Sequence, residues 1–299
     1  MTATTAIPLS GARTVPSMIG VLAVTGAVVC TTAQTKIVPP KNGYKPSEDV
    51  ELGKKAAVQA EKEMPVLHDE LVTGYTRGVG ARLVSTIPRE FRHPEFQYTF
   101  KVLDVKDINA FALPGGPMYV HRGIIEAAGT EGELAGVMAH EMSHVALRHG
   151  TAQLSKQKKQ SLFTILGTAA GILVGGNAGQ AIYEGSQLGV GAYFLRYSRE
   201  DEKQADLLGV QMMARAGYDP RDLAHMFETI EKEGGSRPPQ WLSDHPNPGN
   251  RVEYIEQEAN SLTIENPIGA TPDFDKVRAH LKALPPARTL AEIAKENKR

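Results

Sequence analysis

The chain of 299 residues has an ordinary globular composition, with 41% hydrophobic residues and a formal net charge of −1 at pH 7. A chain of this length can bury a sizeable core in one large domain or two small ones. The balanced charge supplies no basic field for nucleic acid and no acidic surplus of the kind found in disordered chains. We therefore expect no nucleic-acid partner.

The N-terminal region differs from the rest of the chain. Its first 47 residues contain no acidic residue, and the uncharged apolar stretch Ser17–Cys30 follows Arg13. A weakly basic start, a short apolar centre and small residues behind it are typical of a secretory signal. The apolar part is shorter than the about 20 residues that a membrane-spanning helix needs. We predict a signal peptide over residues 1–33, a linker over 34–47 and export to the periplasm.

Cys30 is the only cysteine, which excludes an intrachain disulfide. Its place at the end of the apolar stretch suggests a lipid anchor at the membrane surface. The preceding Val29 argues against this, because lipoprotein signals favour a small residue there. Cleavage after Ala33 is the alternative. Both hypotheses place the start of the mature chain near residues 30 to 34.

The next elements are two helices and a small sheet. Residues 46–67 and 68–88 carry apolar side chains at spacings of three and four, with Pro and Gly between them. Apolar and polar side chains alternate over Phe96–Asp104 and again over Gly116–Gly123, and a Pro-Gly-Gly turn leads into the second stretch. The pattern predicts a short antiparallel sheet here.

The helix predicted over residues 131–150, ending at Gly150, contains a candidate metal motif. Residues four apart on a helix share a face, so His140 and His144 can both direct an imidazole nitrogen at one ion. Glu141 lies to the side, close enough to contact a bound water. The spacing suits zinc, and the alternative is a pair of core histidines with satisfied hydrogen bonds.

A catalytic zinc needs a third protein ligand and an open fourth position for water. A third histidine six residues after His144 is one solution, but that position is Gly150. His149 is one residue short and rotated off the ligand face of the predicted helix. The remaining solution is a carboxylate on a second helix.

A second helix is predicted from Ser198 to Gly217, because Ser198 and Asp201 have the spacing of a capping box and glycine ends the apolar repeat. Glu202 in its first turns is the candidate third ligand. Asp206 lies on the same face and can accept a hydrogen bond from the far nitrogen of a liganding histidine. A charged surface helix is the alternative.

Four stretches together resemble the zinc metallopeptidase family that includes HtpX and the CAAX prenyl protease, within the gluzincins: Asn109–Gly116, 138–150, 197–206 and 244–255. The resemblance covers roughly residues 48 to 262, which we take as the metallopeptidase domain; residues 263–299 are predicted to form a peripheral C-terminal helix and tail. It implies an α+β fold that is mostly helical, with a small antiparallel sheet beside the active-site helix. It also implies one Zn²⁺ on His140, His144 and Glu202, with Glu141 as the catalytic carboxylate.

The resemblance further implies a cleft beside the Pro-Gly-Gly segment, where a peptide adds as an extra strand. The candidate substrate-binding residues are Asn109, Ala110, Phe111, Gly115 and Gly116. The family pattern makes His245 the candidate donor to the tetrahedral oxyanion, with Arg251 holding its loop. A histidine before a proline is otherwise a turn residue.

The sequence thus predicts a zinc endopeptidase that hydrolyses extended or misfolded proteins in the bacterial cell envelope. The alternative is a zinc-stabilised periplasmic chaperone or outer-membrane assembly factor with little turnover, although a structural metal site has no use for Glu141. The longest uncharged apolar part of the Gly/Ala-rich segment 161–192, Ser161–Val174, is too short to span the membrane as a helix. We expect the segment to form a mobile flap or a helix packed over the cleft, and a contact with the membrane surface is the alternative.

Overall fold

The computed structural model describes Met1 and residues 34–157, 197–234, 241–242, 245, 250–269 and 271–296. The predicted signal peptide, Cys30 and the segment 161–192 lie outside the described residues. Of the helices in the described ranges, none is both long and apolar enough to span a membrane.

The described elements are helices around one small sheet. In chain order they are α1 (Pro46–Glu63), α2 (Glu70–Ser85), a 3₁₀ turn (Arg89–Phe91), β1 (Thr99–Leu103), β2 (Ala110–Ala112), β3 (Pro117–His121), α3 (Arg122–Ala127), α4 (Glu131–Ala146), α5 (Arg199–Ala216), α6 (Asp222–Gly234), α7 (Arg251–Ser261), α8 (Pro272–Ala283) and α9 (Leu290–Glu296). This arrangement confirms the predicted α+β class.

Local sequence fixes where the two long central helices begin. The hydroxyl of Thr130 accepts a hydrogen bond from the amide of Glu133 at 3.1 Å and caps α4. Ser198 and Asp201 form the predicted capping box at the start of α5. Gly217, with φ of 91°, ends α5 in the left-handed conformation that glycine adopts at low cost.

The sheet has the strand order β1-β3-β2 and is mixed, so the prediction of an antiparallel sheet is wrong for β1 and β3, the two strands that the alternation located. β2 and β3 form an antiparallel hairpin, whereas β1 and β3 run parallel. The reason is that the chain leaves β1, forms β2 at the far edge and returns as β3 between them. The return requires Gly116, which has φ of 122° and whose added Cβ would lie 2.4 Å from the carbonyl oxygen of Gln97.

The core surrounds α4, every residue of which is buried. The helix packs against α5 and α6, against α2 and against the strands β2 and β3. The C-terminal tail forms two helices rather than the single predicted one. α8 contributes Phe274, Val277 and Leu281 to the main hydrophobic core, so this part of the tail is an integral layer of the fold.

α4 ends at Ala146, and the prediction that it continues to Gly150 is wrong. Arg148 takes φ of 58°, which breaks the helix, and a new helical segment covers residues 149–157. The guanidinium of Arg148 donates to both carboxylate oxygens of buried Asp49, at 2.7 and 2.9 Å, and to the carbonyl of Tyr44 at 2.6 Å. These contacts hold a conformation that a non-glycine residue rarely adopts.

Candidate metal centre

The predicted ligand residues meet where α4 and α5 pack together. His140 and His144 extend from α4 and Glu202 extends from α5, and all three side chains are buried. Gly209 on α5 permits the close approach of the two helices, since an added Cβ there would lie 3.3 Å from the backbone nitrogen of His140. The helical spacing of each motif thus converges on one interior point.

His245 joins this group, so four ligand atoms lie within 4.8 Å of one another. The Nε2 atoms of His140 and His144 are 3.0 Å apart, and each lies 3.5 Å from a carboxylate oxygen of Glu202. His245 Nδ1 lies 3.2 Å from His140 Nε2 and 3.1 Å from Glu202 Oε1. Nitrogen and oxygen atoms gathered in this way form a compact ligand set with one shared centre.

The separations fit a zinc ion. Zinc binds imidazole nitrogen at about 2.0–2.1 Å in tetrahedral geometry, which places neighbouring ligand atoms about 3.3 Å apart. The observed separations run from 3.0 to 3.5 Å. Two imidazoles and a carboxylate are also a donor set that catalytic zinc sites use. These residues are therefore able to hold zinc with only small adjustments.

His140 is oriented by the predicted carboxylate. Its Nδ1 lies 2.8 Å from Asp206 Oδ1, which leaves Nε2 facing the shared centre. Asp206 in turn accepts two hydrogen bonds from Arg251, at 2.7 and 2.8 Å, and one from the hydroxyl of Tyr254. Arg251 also donates to Glu202 at 3.1 Å. One buried cation thereby fixes both Glu202 and Asp206 of α5.

The charges of the ligand set are strongly perturbed. Burial raises the pKa of Glu202, but His245 and the other imidazoles outweigh it and hold this pKa well below its usual value. Burial lowers the pKa of His140, yet Asp206 and Glu202 raise it to about 9. Burial also keeps the pKa of His144 well below its usual value. A metal binds only deprotonated ligand nitrogens, so the affinity of this ligand set for a metal depends on pH.

Glu141 lies beside the ligand set and outside it. Its Oε1 accepts a hydrogen bond from Trp241 Nε1 at 2.9 Å and lies 3.2 Å from His245 Nε2. Trp241 stacks on His245 with ring centroids 5.1 Å apart. Arg251 Nη1 donates a hydrogen bond to the carbonyl of His245 at 3.3 Å. The sequence predicts Arg251 as the residue that holds the loop of His245. The carboxylate therefore adjoins the ligand centre in a fixed orientation.

Sequence reasoning missed two aromatic residues of the site. Trp241 is the only tryptophan of the chain, and this singularity was the one signal available for it. Tyr197 precedes the capping box of α5 and stacks on His144, with centroids 3.9 Å apart and an interplanar angle of 21°. Burial raises the pKa of Tyr197, so its hydroxyl stays protonated.

The predicted substrate-binding residues lie in β2 and in the segments on either side of it, and β2 packs against α4. Asn109 and Ala110 are buried, and the amide of Ala110 donates to Asn109 Oδ1 at 2.9 Å. Gly115 and Gly116 have φ of 79° and 122°, so the hairpin turn itself accounts for both glycines. Their proposed contacts with a substrate stay a prediction.

Comparison with known proteins identifies several relatives. The beta-barrel assembly-enhancing protease of Escherichia coli (strain K12) is 30% identical over 220 residues, which are 72% of this chain and 44% of that protein. The putative beta-barrel assembly-enhancing protease of Vibrio cholerae serotype O1 is 32% identical over 216 residues, 71% and 43% of the two chains. Metalloprotease LoiP of Escherichia coli (strain K12) is 30% identical over 171 residues, 56% and 64%.

This chain spans less than half the length of the two beta-barrel assembly-enhancing relatives. The relatives support the predicted metalloendopeptidase class, and they confirm the predicted kinship with zinc metallopeptidases. The sequence profile of peptidase family M48 matches residues 73–259, which include α4 and α5 and hence all the candidate ligands on these helices. The chain belongs to peptidase family M48.

Proposed function

We propose that this protein is a zinc-dependent endopeptidase that hydrolyses peptide bonds of extended or misfolded polypeptides in the bacterial cell envelope. One observation carries the proposal. His140, His144 and Glu202 converge on one centre, and Glu141 lies next to that centre without belonging to the ligand set. A purely structural metal site has no need of this additional carboxylate.

Bound zinc would supply a Lewis acid that lowers the pKa of a coordinated water to about 7 and polarises the scissile carbonyl. Glu141 then acts as the general base, accepting the proton of the attacking water and passing it to the leaving amine. Trp241 Nε1 holds the carboxylate of Glu141 in place at 2.9 Å. The hydrogen bond uses one lone pair of Oε1 and leaves Oε2 for the proton.

His245 is proposed to donate to the oxyanion of the tetrahedral intermediate. Its Nδ1 lies among the candidate ligand atoms, and a catalytic site keeps its fourth position for water. Substrate hydrolysis therefore requires the imidazole of His245 to withdraw from this position and turn towards the carbonyl. Arg251 limits that movement through its hydrogen bond to the carbonyl of His245.

The substrate is proposed to bind along β2 as an additional strand. Among the described residues, β2 pairs with a strand on one side only, where it meets β3. The strand packs against α4, the helix that carries His140 and Glu141. Main-chain hydrogen bonds to such an edge require an extended peptide, which a folded protein does not offer.

The location in the cell envelope rests on the predicted signal peptide and on the relatives. Two of these relatives are named for enhancing beta-barrel assembly. That name favours a second candidate function, in which the chain assists assembly at the outer membrane with little turnover. The two functions differ in whether Glu141 is needed.

The experiment compares wild type with Glu141→Gln on an unfolded model protein. Glutamine matches glutamate in size and cannot accept the proton, so cleavage should fall by roughly two to four orders of magnitude. Zinc content should stay the same, because Glu141 is not a ligand. Substrate binding should also persist.

A matched control is Glu61→Gln, a carboxylate that pairs with Lys101 at the surface. It should cleave at the wild-type rate. Equal cleavage by wild type and Glu141→Gln would refute the hydrolytic mechanism. If neither protein cleaved and both suppressed aggregation, the assembly function would replace it.

A further inference from the structure

The break in the helix after α4 brings a further histidine, His149, against the side of His144 that faces away from the metal centre. On a continuous helix, residues five apart point about 140° away from each other. The left-handed conformation of Arg148 redirects the chain, and His149 returns to lie with its Nδ1 2.9 Å from His144 Nδ1. His149 has no exposed surface. A conformation that is costly for arginine thus serves to place this imidazole.

The hydrogen bonds around His149 have a defined direction. Glu200 is an acceptor, and Gln204 donates its amide to Glu200 Oε1 at 3.1 Å, so Gln204 Oε1 faces His149. This oxygen lies 3.3 Å from His149 Nε2 and accepts its proton. A neutral imidazole with its proton on Nε2 has a lone pair on Nδ1. His149 Nδ1 is then an acceptor.

His144 is the last member of this chain of hydrogen bonds. Only one proton fits between the two Nδ1 atoms, and the acceptor character of His149 assigns this proton to His144. The lone pair of His144 is then on Nε2, the atom that faces His140 and Glu202. A metal ion needs that lone pair.

We propose that His149 is a positioning residue that fixes the metal-binding tautomer and orientation of His144. The proposal rests on the zinc site of the proposed function. The two histidines of α4 would then be supported differently: His140 by the carboxylate of Asp206, at 2.8 Å, and His144 by a neutral imidazole. Partners of this kind typically change metal affinity by about 10- to 100-fold.

The structure offers variants that separate the two nitrogens of His149. In His149→Asn, the amide oxygen occupies the position of Nδ1, so it keeps the acceptor for His144. In His149→Gln, the amide lies at the position of Nε2 and this acceptor is lost. We expect His149→Asn to bind zinc within about threefold of wild type, and His149→Gln to bind it roughly 10- to 100-fold more weakly, in a competition titration with a chelator.

Nitrogen-15 spectra of the zinc-loaded wild type give a second readout that does not depend on activity. His144 should carry its ring proton on Nδ1, and His149 should carry it on Nε2. Gln204→Leu removes the acceptor for His149 at a partly exposed position, and it should shift the proton of His149 towards Nδ1 and weaken zinc binding severalfold.

His93→Asn is the control. His93 contacts the carbonyl of Ala146 near the end of α4 at 3.1 Å and touches no ligand, so zinc affinity should be unchanged. Equal zinc affinity of wild type and His149→Gln, or a wild-type His149 protonated on Nδ1, would overturn the inference while leaving the zinc site intact. A wild type that binds no zinc would overturn the proposed function as well.

Discussion

Replacement of Arg251 by methionine tests the buried charge network behind the metal centre. The guanidinium is 1% exposed and donates two hydrogen bonds to Asp206 and one to Glu202. It also lies 3.9 Å above the ring of Phe227. Burial lowers the pKa of Arg251, but Asp206 and Glu202 raise it, so the guanidinium stays charged.

The magnitude follows from the uncompensated carboxylate. Removing one partner of a buried ion pair costs about 3–5 kcal/mol, because the remaining charge stays in a low-dielectric interior. Methionine keeps much of the apolar contact with Phe227, so lost packing adds little. For a chain of this size the cost corresponds to a fall in Tm on the order of 10 °C. The exposed pair Arg77–Glu70 offers the control, and Arg77→Met should cost about 1 kcal/mol or less.

Urea unfolding in the presence of a chelator measures the effect without a contribution from bound metal. The double variant Arg251→Met with Asp206→Asn removes the stranded charge together with its partner. The loss of unfolding free energy in the double variant should be smaller than the sum of the losses in the two single variants by about 1–3 kcal/mol. A cost below about 1 kcal/mol for Arg251→Met, or additive effects in the double variant, would show that the network does not carry the stability assigned to it.

Three further predictions concern the ligand set, pH and helix packing. Glu202→Ala should lower zinc content sharply in elemental analysis, and full retention would remove Glu202 from the ligand set. Burial lowers the pKa of His121 from 6.5 to about 4. As the pH falls from 6.5 to 4, this histidine is therefore protonated in the unfolded chain but stays neutral in the folded chain. The metal-free chain should therefore lose roughly 3 kcal/mol of stability between pH 6.5 and 4 through this group, and His121→Gln should flatten that part of the profile; an unchanged slope would contradict the assignment. An added Cβ at Gly53 would lie 1.8 Å from the carbonyl oxygen of Pro114, so Gly53→Ala should cost roughly 1–3 kcal/mol, whereas Gly78→Ala, with no atom within 4 Å, should gain up to about 1 kcal/mol. Similar thermal midpoints for the two glycine variants would refute the packing argument.

The sequence was most informative where chemistry depends on helical spacing. His140 and His144 are four residues apart on α4, and Glu202 and Asp206 are four apart on α5, so each pair shares a face as predicted. The capping box at Ser198 fixed the start of α5 and hence which of its acidic residues point inwards. Local rules of this kind survive folding because both helices are long and well capped.

The environment of His144 was not predictable, because it depends on a backbone exception. The sequence pattern continues as a helix to Gly150, and nothing in it indicates that Arg148 adopts φ of 58°. That conformation depends on Asp49, which is distant in sequence and buried against the guanidinium. The sequence therefore predicts that His149 points away from the ligand face, whereas the broken helix returns it to His144.

The sheet shows a similar limit. Alternation over Phe96–Asp104 and Gly116–Gly123 located both β1 and β3, but alternation carries no information about strand direction. The three residues of β2 are too few for a periodic signal. The crossover that makes β1 and β3 parallel therefore cannot be predicted from the sequence pattern. Residues 109–113 drew attention only through their family resemblance, whereas residues 114–116 also have the composition of a turn.

Stepwise return of zinc to the metal-free protein tests the central claim most directly. Cleavage of an unfolded polypeptide should be absent after chelation, rise linearly with added zinc and reach its plateau at about one equivalent per chain, because His140, His144 and Glu202 form a single centre. Full cleavage by the metal-free protein, or none at any zinc concentration, would contradict the proposal of a zinc endopeptidase.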